Sequence, residues 1–377
     1  MSAPSVVTPS DDALTVMIMA GGTGGHVYPA LSVAAWLRER RHRVVWLGTA
    51  RGIEARLVPQ AGYPLETLAV TGLRGKSLAT WLAAPFKLMR SLGQALVTLR
   101  RHRPDVVLGM GGFVTGPGGL AAWLTRTPLL IHEQNAIAGL SNRLLSRLAC
   151  RVFEAFPHSF PDAVRAVFIG NPVRSQIEDL PAPGLRFENR RGQARLLVLG
   201  GSQGAKALNE GVPAALATLP EQLRPSVLHQ AGARGLELAR NAYEKHEVVG
   251  EVVPFIDDMA GAYAQADLVI CRAGALTIAE LTAAGVGAVL VPYPHAVDDH
   301  QTHNGRALVD AGAALMVQET AMEPSRLGTT LGALLTDRVD LQRMAERSRA
   351  LARPGVTAVL GEACLEAART RRQGAAR

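Results

Sequence analysis

The chain is short of cysteine, of acid in one long segment, and of any unbroken apolar run. Three cysteines (Cys150, Cys271, Cys364) lie far apart in 377 residues. No disulfide framework or metal spacing follows from them, and a reducing cytosol is expected. The opening MSAPSVVTPSDD has neither a basic start nor a long apolar stretch, so no signal peptide is predicted. Residues 106–124 are uncharged and long enough to suggest a membrane span, but six glycines and Pro117 interrupt them. They read better as strand, loop and helix. Between Glu66 and Asp105 there is no acid but there are seven Lys or Arg. Over the whole chain Lys plus Arg exceed Asp plus Glu by eight, 40 against 32. Such an excess suits a phosphorylated substrate, an anionic lipid surface or nucleic acid.

What the chain does have is apolar residues (48%) and 38 glycines spread along its length, enough for two α/β domains with many tight strand-to-helix turns. Residues 14–20 form an apolar strand running into Gly21-Gly22-Thr23-Gly24-Gly25-His26, with a helix following to about Arg40 and Pro29 in its first turn. Four glycines in five positions let backbone N–H groups surround an anion or a sugar. The loop is neither a dinucleotide fingerprint nor a P-loop, since no Lys-Ser/Thr follows. A second glycine turn, Gly109 to Pro117, follows the strand at 105–108. The strand at 129–131 ends in His132-Glu133-Gln134-Asn135, four polar side chains expected at a site rather than in the core. Asn135 can both donate to and accept from a sugar hydroxyl. Residues 178–194, rich in proline and charge, read as an interdomain linker.

A second αβ series begins at Arg195 with Gly200-Gly201-Ser202-Gln203-Gly204 after its first strand. Its most informative stretch is 266–284, ADLVICRAGALTIAELTAA. An apolar strand (Leu268 to Cys271) breaks at Gly274 and feeds a helix, leaving free N–H groups near residues 274–277 that suit a phosphate. Thr277 adds a hydroxyl, and Glu280 one turn later can accept from both hydroxyls of a ribose. An ordinary αβ unit with a solvated Glu280 is the competing reading. His295, His300 and His303, with Asp298 and Asp299 between them, match no standard metal spacing, and a polar sugar-recognition loop is preferred. In residues 73–103, Leu78, Trp81, Leu82 and Phe86 lie among Arg74, Lys76, Lys87 and Arg90, with Pro85 restarting any helix. This segment is either interfacial on an anionic membrane or a core-facing helix with a solvated basic side. The tail with Arg369, Arg371, Arg372 and Arg377 is expected to fray.

GGTGGHVYPALSVA, GGFVTGP, HEQNAIAGLSNR, GNPVR, GGSQGA, FIDDM and CRAGALTIAEL, in this order and spacing, closely resemble the MurG family of glycosyltransferases (glycosyltransferase family 28). These enzymes transfer N-acetylglucosamine from UDP-N-acetylglucosamine to lipid I, forming lipid II for the cell wall. The resemblance implies a GT-B fold, α/β with two doubly wound Rossmann-like domains facing a central cleft. The first domain would span residues 1–174 plus 353–377 and dock acceptor and membrane. The second, 175–352, would bind UDP-N-acetylglucosamine. It implies that the Ile256 backbone meets uracil, that Ser202 and the amides around Gly201 and Gln203 hold the diphosphate, that Leu276 and Thr277 lie on the α-phosphate side, and that Ala275, Ile278 and Ala279 also belong to the UDP-N-acetylglucosamine site. Glu280 would take the ribose, Arg174 would lie near uridine or phosphates, and Gln301 would bind the sugar. Thr23, Gly24, Gly25 and Asn135 would close on the sugar from the first domain. Leu73, Arg74, Lys76, Leu78, Trp81, Leu82, Phe86, Lys87 and Arg90 would match the membrane-docking surface. The implied setting is peripheral, on the cytoplasmic face of the plasma membrane, with cell-wall synthesis or division proteins as partners. No obligatory metal cofactor is implied.

The chemistry implied is an inverting single displacement, in which the muramyl 4-hydroxyl attacks the anomeric carbon as UDP leaves. The hydroxyl needs a base; His26 is the candidate, since imidazole can take a proton near neutral pH, and Glu133 is its rival. Other readings are a diacylglycerol galactosyltransferase, a UDP-N-acetylglucosamine 2-epimerase, or a non-catalytic nucleotide-sugar or nucleic-acid binder. Nucleic acid is disfavoured because the aromatics of the basic segment cluster with leucines instead of interleaving with cations.

Overall fold

The computed structural model describes residues 13–70, 84–201 and 204–375. The chain divides into two compact units, Met1–Pro172 with Gly355–Arg377, and Val173–Pro354. These divisions fall two residues from the expected positions.

Unit 1 holds a parallel seven-stranded sheet in the order β3-β2-β1-β4-β5-β6-β7. Its strands are β1 Thr15–Met19, β2 Arg43–Gly48, β3 Leu65–Thr67, β4 Val106–Gly109, β5 Leu129–Glu133, β6 Arg151–Glu154 and β7 Val167–Phe168. Its central strands are apolar at successive positions because helices cover both faces. Val16, Ile18, Trp46 and Leu108 pack on one face, with Val27, Val33 and Leu37 of the Gly24–Glu39 helix and Leu360 and Cys364 of the Val356–Ala375 helix. Met17, Met19, Leu47 and Val107 pack on the other, with Ala95 and Leu99 of the Ala84–His102 helix. Pro85 is the second described residue of that helix. Pro29 lies inside the first helix, which already begins at Gly24, so the first-turn expectation is corrected.

The C-terminal helix returns to unit 1 and is not frayed over its described length. Gly361 allows it to lie directly on the Trp36 ring. Arg151 pairs with Glu366 at 2.7 Å, Arg372 with Asp105 at 2.8 Å, and Arg371 donates to Pro104 O at 2.8 Å. These carbonyl and carboxylate partners correct the expectation of a loose basic tail for Arg371 and Arg372.

Unit 2 repeats the topology with six parallel strands in the order β10-β9-β8-β11-β12-β13. They are β8 Arg195–Leu199, β9 Ser226–Gln230, β10 Glu251–Val253, β11 Leu268–Cys271, β12 Gly287–Leu290 and β13 Ala314–Met316. Residues 178–194 are not a linker. They carry the Pro183–Glu188 helix, whose Phe187 is buried and whose Arg186 donates to Tyr263 O at 3.1 Å and Ala284 O at 2.7 Å. Arg190 adds a bond to Gln265 O at 2.7 Å and an ion pair with Asp267 at 3.4 Å. The charges that suggested a solvated connector are spent on carbonyls at helix ends, where cations are favoured.

No helix among the described residues is long and apolar enough to cross a membrane.

Candidate active site

In both sheets the strand order reverses beside the first strand of the unit, between β1 and β4 and between β8 and β11. Open α/β sheets bind ligands outside the carboxyl ends of the strands at such a switch point. Each unit carries glycine loops there.

In unit 1 the loop after β1 gives Thr23 at the N-cap of the Gly24–Glu39 helix, with no side-chain capping bond. Thr23, Gly24, Gly25 and His26 all lie at this helix start, so its first-turn N–H groups and dipole face the same way as His26's backbone. The loop after β4 crosses close by. A Cβ at Gly112 (φ +86°) would collide with Gly21 O, and one at Gly111 (φ +92°) would sit 2.6 Å from His26 Nδ1. Glycine at both positions is therefore a condition of His26 standing where it does. Glu54, which nothing in the sequence singled out, braces the first loop. Its buried carboxylate accepts from Gly22 N at 3.0 Å, Thr49 N at 2.9 Å and Thr49 Oγ1 at 2.7 Å.

The polar run at the end of β5 is buried, contrary to the expectation that such residues avoid the core. His132, Glu133 and Gln134 are 0%, 2% and 1% exposed. They are tolerated because each is hydrogen-bonded. Glu133 accepts from Asn135 N at 3.0 Å, Asn135 Nδ2 at 3.3 Å, Gly139 N at 3.1 Å and Asn142 Nδ2 at 2.9 Å. Its carboxylate shapes the turn that presents Asn135. His132 donates from Nε2 to Gly170 O at 2.9 Å, and burial pushes its pKa down to about 4. Gln134 bridges His132 Nδ1 at 3.0 Å and His26 Nδ1 at 2.8 Å. His26 itself is half-buried, and its Nε2 has no hydrogen-bond partner among the described residues.

In unit 2 the Ala275–Ala284 helix starts directly after β11, with Gly274 at its N-cap and no side chain capping it. Leu276 and Thr277 lie in the first turn, where N–H groups have no intrahelical acceptor. Ile278 N is already bonded to Gly274 O at 2.9 Å, and the Ile278 and Ala275 side chains face the core. Those two side chains are therefore turned from solvent, while Thr277 and Ala279 lie on the half-exposed side of the helix.

Glu280 is buried, not solvated. Arg174 donates to its Oε1 at 2.7 Å, and the buried Tyr263 hydroxyl donates to Oε2 at 3.2 Å. Burial raises its pKa while Arg174 and Tyr263 oppose the rise. Each oxygen keeps a second lone pair, so the carboxylate is held in one orientation and can still accept from a diol. Tyr263, like Glu54, carried no motif signal. Ile256 N is committed to Gln230 Oε1 at 3.0 Å, so a ligand could meet only the carbonyl of that backbone unit. Gln301 lies at the start of the His300–Asp310 helix, and its Oε1 accepts from Tyr293 N at 2.9 Å, with Nε2 remaining as donor. Ser202 and Gln203, and docking residues Leu73, Arg74, Lys76, Leu78, Trp81 and Leu82, lie outside the described residues.

No group of three or more His, Cys, Asp or Glu is gathered as a metal site among the described residues. His303 Nδ1 instead lies 3.1 Å from Asp299 O, and the His295 ring packs edge-on against Tyr293.

Residues 16–154 match the model of the glycosyltransferase family 28 N-terminal domain, and residues 195–357 that of its C-terminal domain. A UDP-N-acetylglucosamine–N-acetylmuramyl-(pentapeptide) pyrophosphoryl-undecaprenol N-acetylglucosamine transferase of Nitrosococcus oceani is 58% identical, over 94% of this chain and 99% of its own. The enzyme of the same name from Neisseria gonorrhoeae is 52% identical, over 94% and 99%. The crystal structure of Acinetobacter baumannii MurG, 41% identical, superposes with a TM-score of 0.80 over 94% of this chain and 99% of that one. The calicheamicin glycosyltransferase CalG4, at 19% identity and a TM-score of 0.67, shares the fold. The two doubly wound units are thus of the GT-B class, and the chain belongs to glycosyltransferase family 28.

Proposed function

We propose that this chain transfers N-acetylglucosamine from UDP-N-acetylglucosamine to the muramyl 4-hydroxyl of undecaprenyl-pyrophosphoryl-MurNAc-pentapeptide, forming the β-1,4 linkage of lipid II. One observation carries the reading: relatives more than half identical across 94% of the chain share this activity by name. Part of the described motif agrees with it: Thr23 to His26 follow β1, and Leu276 to Glu280 follow β11, strands that border the two switch points.

In this reading unit 2 holds the donor. The open N-terminus of the Ala275–Ala284 helix, worth about half a positive charge, takes the phosphates through Leu276 and Thr277. Glu280 takes the ribose hydroxyls, Ile256 O the uracil edge and Gln301 a sugar hydroxyl. Arg174 orients Glu280 and adds positive character beside the phosphates. As the acceptor oxygen bonds to the anomeric carbon, the bond to UDP breaks and its electron pair leaves with the diphosphate. Amide donors aimed at that developing charge lower the barrier without a metal.

Unit 1 supplies the base. His26 carries the proton-accepting role because its Nε2 is open, whereas Glu133 already accepts four hydrogen bonds and is buried. Thr23, Gly24, Gly25 and Asn135 serve as sugar contacts. A lipid-linked acceptor requires association with a membrane surface. The Ala84–His102 helix supports this with Phe86, Leu88 and Met89 exposed beside Lys87 and Arg90.

The test is transfer of radiolabelled N-acetylglucosamine from its UDP donor to a short-chain lipid I analogue, with EDTA present. A β-1,4-linked disaccharide product is expected. Donor binding without transfer would send the reading to a different acceptor or to epimerase chemistry.

A further inference from the structure

We propose that Gln134 and His132 are positioning residues that fix the tautomer of His26, through a hydrogen-bond relay anchored on the Gly170 carbonyl, so that Nδ1 carries the proton and Nε2 presents its lone pair. The inference rests on His26 being the base of the transfer reaction, and it adds what makes that imidazole competent.

The direction of every bond follows from one end. Gly170 O can only accept, so His132 Nε2, 2.9 Å away, must carry a hydrogen. A neutral imidazole has one N–H, and His132 is neutral near pH 7 because complete burial disfavours its cation. Its Nδ1 is therefore an acceptor. The group facing it at 3.0 Å must be the Gln134 amide nitrogen, which also donates to His132 O at 3.3 Å. That fixes the flip of the Gln134 amide, and its Oε1 turns to His26. An amide oxygen accepts only, so His26 Nδ1 at 2.8 Å carries the hydrogen. The remaining ring nitrogen, Nε2, has the lone pair.

The relay is uncharged throughout, with an amide where a carboxylate would otherwise orient a catalytic imidazole. On proton transfer the acceptor O–H bond breaks, the hydrogen bonds to Nε2, and the Nδ1–H to Gln134 bond strengthens as the ring becomes cationic. No proton moves along the relay. The arrangement also accounts for two otherwise costly features: three consecutive polar residues buried in unit 1, and a glycine at 111 that keeps the ring's Nδ1 edge clear.

The tautomer is read directly by 15N NMR of the imidazoles in the full-length wild-type chain, assigned by loss of one signal set in His26→Ala. Expected is a protonated Nδ1 and an unprotonated Nε2 for His26, with the opposite pattern for His132. A His26 protonated mainly at Nε2 would overturn the relay, whatever the kinetics. Gln134→Leu should then mix the His26 tautomers and lower kcat by on the order of 10²-fold, with donor affinity unchanged. A Gln134→Leu protein that folds and turns over at the wild-type rate would also overturn it. If His26→Ala retains full turnover while the wild-type tautomers are as stated, the base assignment fails and the relay stands as geometry. Should Gln134→Leu not fold, the wild-type spectrum decides alone.

Discussion

The two switch points share a topology and differ in what fills them. In unit 1 a neutral chain of groups starts at His26, after β1, and runs through Gln134 and His132 at the end of β5 to Gly170 O after β7, with Gly111 against the His26 ring. In unit 2 the space beside β8 and β11 holds a helix N-terminus and an oriented ion pair, Arg174 with Glu280, backed by Tyr263. A neutral, directional chain suits a group that must lose and gain one proton. A fixed carboxylate and open amides suit a ligand that is charged and rich in hydroxyls. Under the proposed function, one fold used twice would separate proton transfer from donor recognition.

The sharpest way to break this division is His26→Ala. It should lower kcat by about 10²- to 10⁴-fold while donor affinity holds, read by steady-state transfer kinetics with calorimetry. Glu280→Ala should do the converse. Losing charge-assisted bonds worth about 1.5–3 kcal/mol should weaken UDP-N-acetylglucosamine binding roughly 10- to 100-fold, with an unchanged circular dichroism spectrum. Unaltered donor affinity would remove Glu280 from the pocket.

A third comparison concerns acid stability, in which the units should behave alike. Each buries one histidine whose pKa burial pushes down to about 4, His132 in unit 1 and His229 in unit 2. The ordinary value is 6.5, so between the two the unfolded chain binds more protons than the folded one. Stability is full above about pH 6.5 and falls as the pH drops toward 4, by up to about 3 kcal/mol per histidine. Thermal melts from pH 7 to pH 4 check this. Replacing His229 by Gln should flatten the profile of unit 2 alone. A melting temperature that does not move over this range would contradict the burial argument.

The smallest effect is on the surface. Phe86→Ser with Met89→Ser should reduce binding to anionic vesicles several-fold, since side chains at an interface are only partly withdrawn from water and realise a fraction of the about 1.5–3 kcal/mol of full burial. Turnover on a water-soluble acceptor should stay unchanged. Equal vesicle binding would assign this helix face to a protein contact.

The α/β alternation, the glycine turns and the Gly274 break were legible because each is local: an apolar run of strand length, a residue free to turn, a helical period. The three-residue strands β3, β10 and β13 were not, because their pairing is set by neighbours in the sheet and not by their own pattern. Residues 178–194 misled for the same reason. Proline and charge look like a connector until Arg186 and Arg190 meet carbonyls some 70 or more residues away. At the site, Thr23, His26 and Glu280 carried a signal through their place after a strand. Glu54 and Tyr263 did not, and for Gln134 the sequence marked a polar position without its partner, since these roles depend on groups brought in from other segments.

The division of labour is tested most directly by titrating UDP-N-acetylglucosamine calorimetrically into the wild type, His26→Ala and Glu280→Ala side by side. Wild-type affinity in His26→Ala and weakened affinity in Glu280→Ala are predicted. Weakened binding in His26→Ala with none lost in Glu280→Ala would contradict the account.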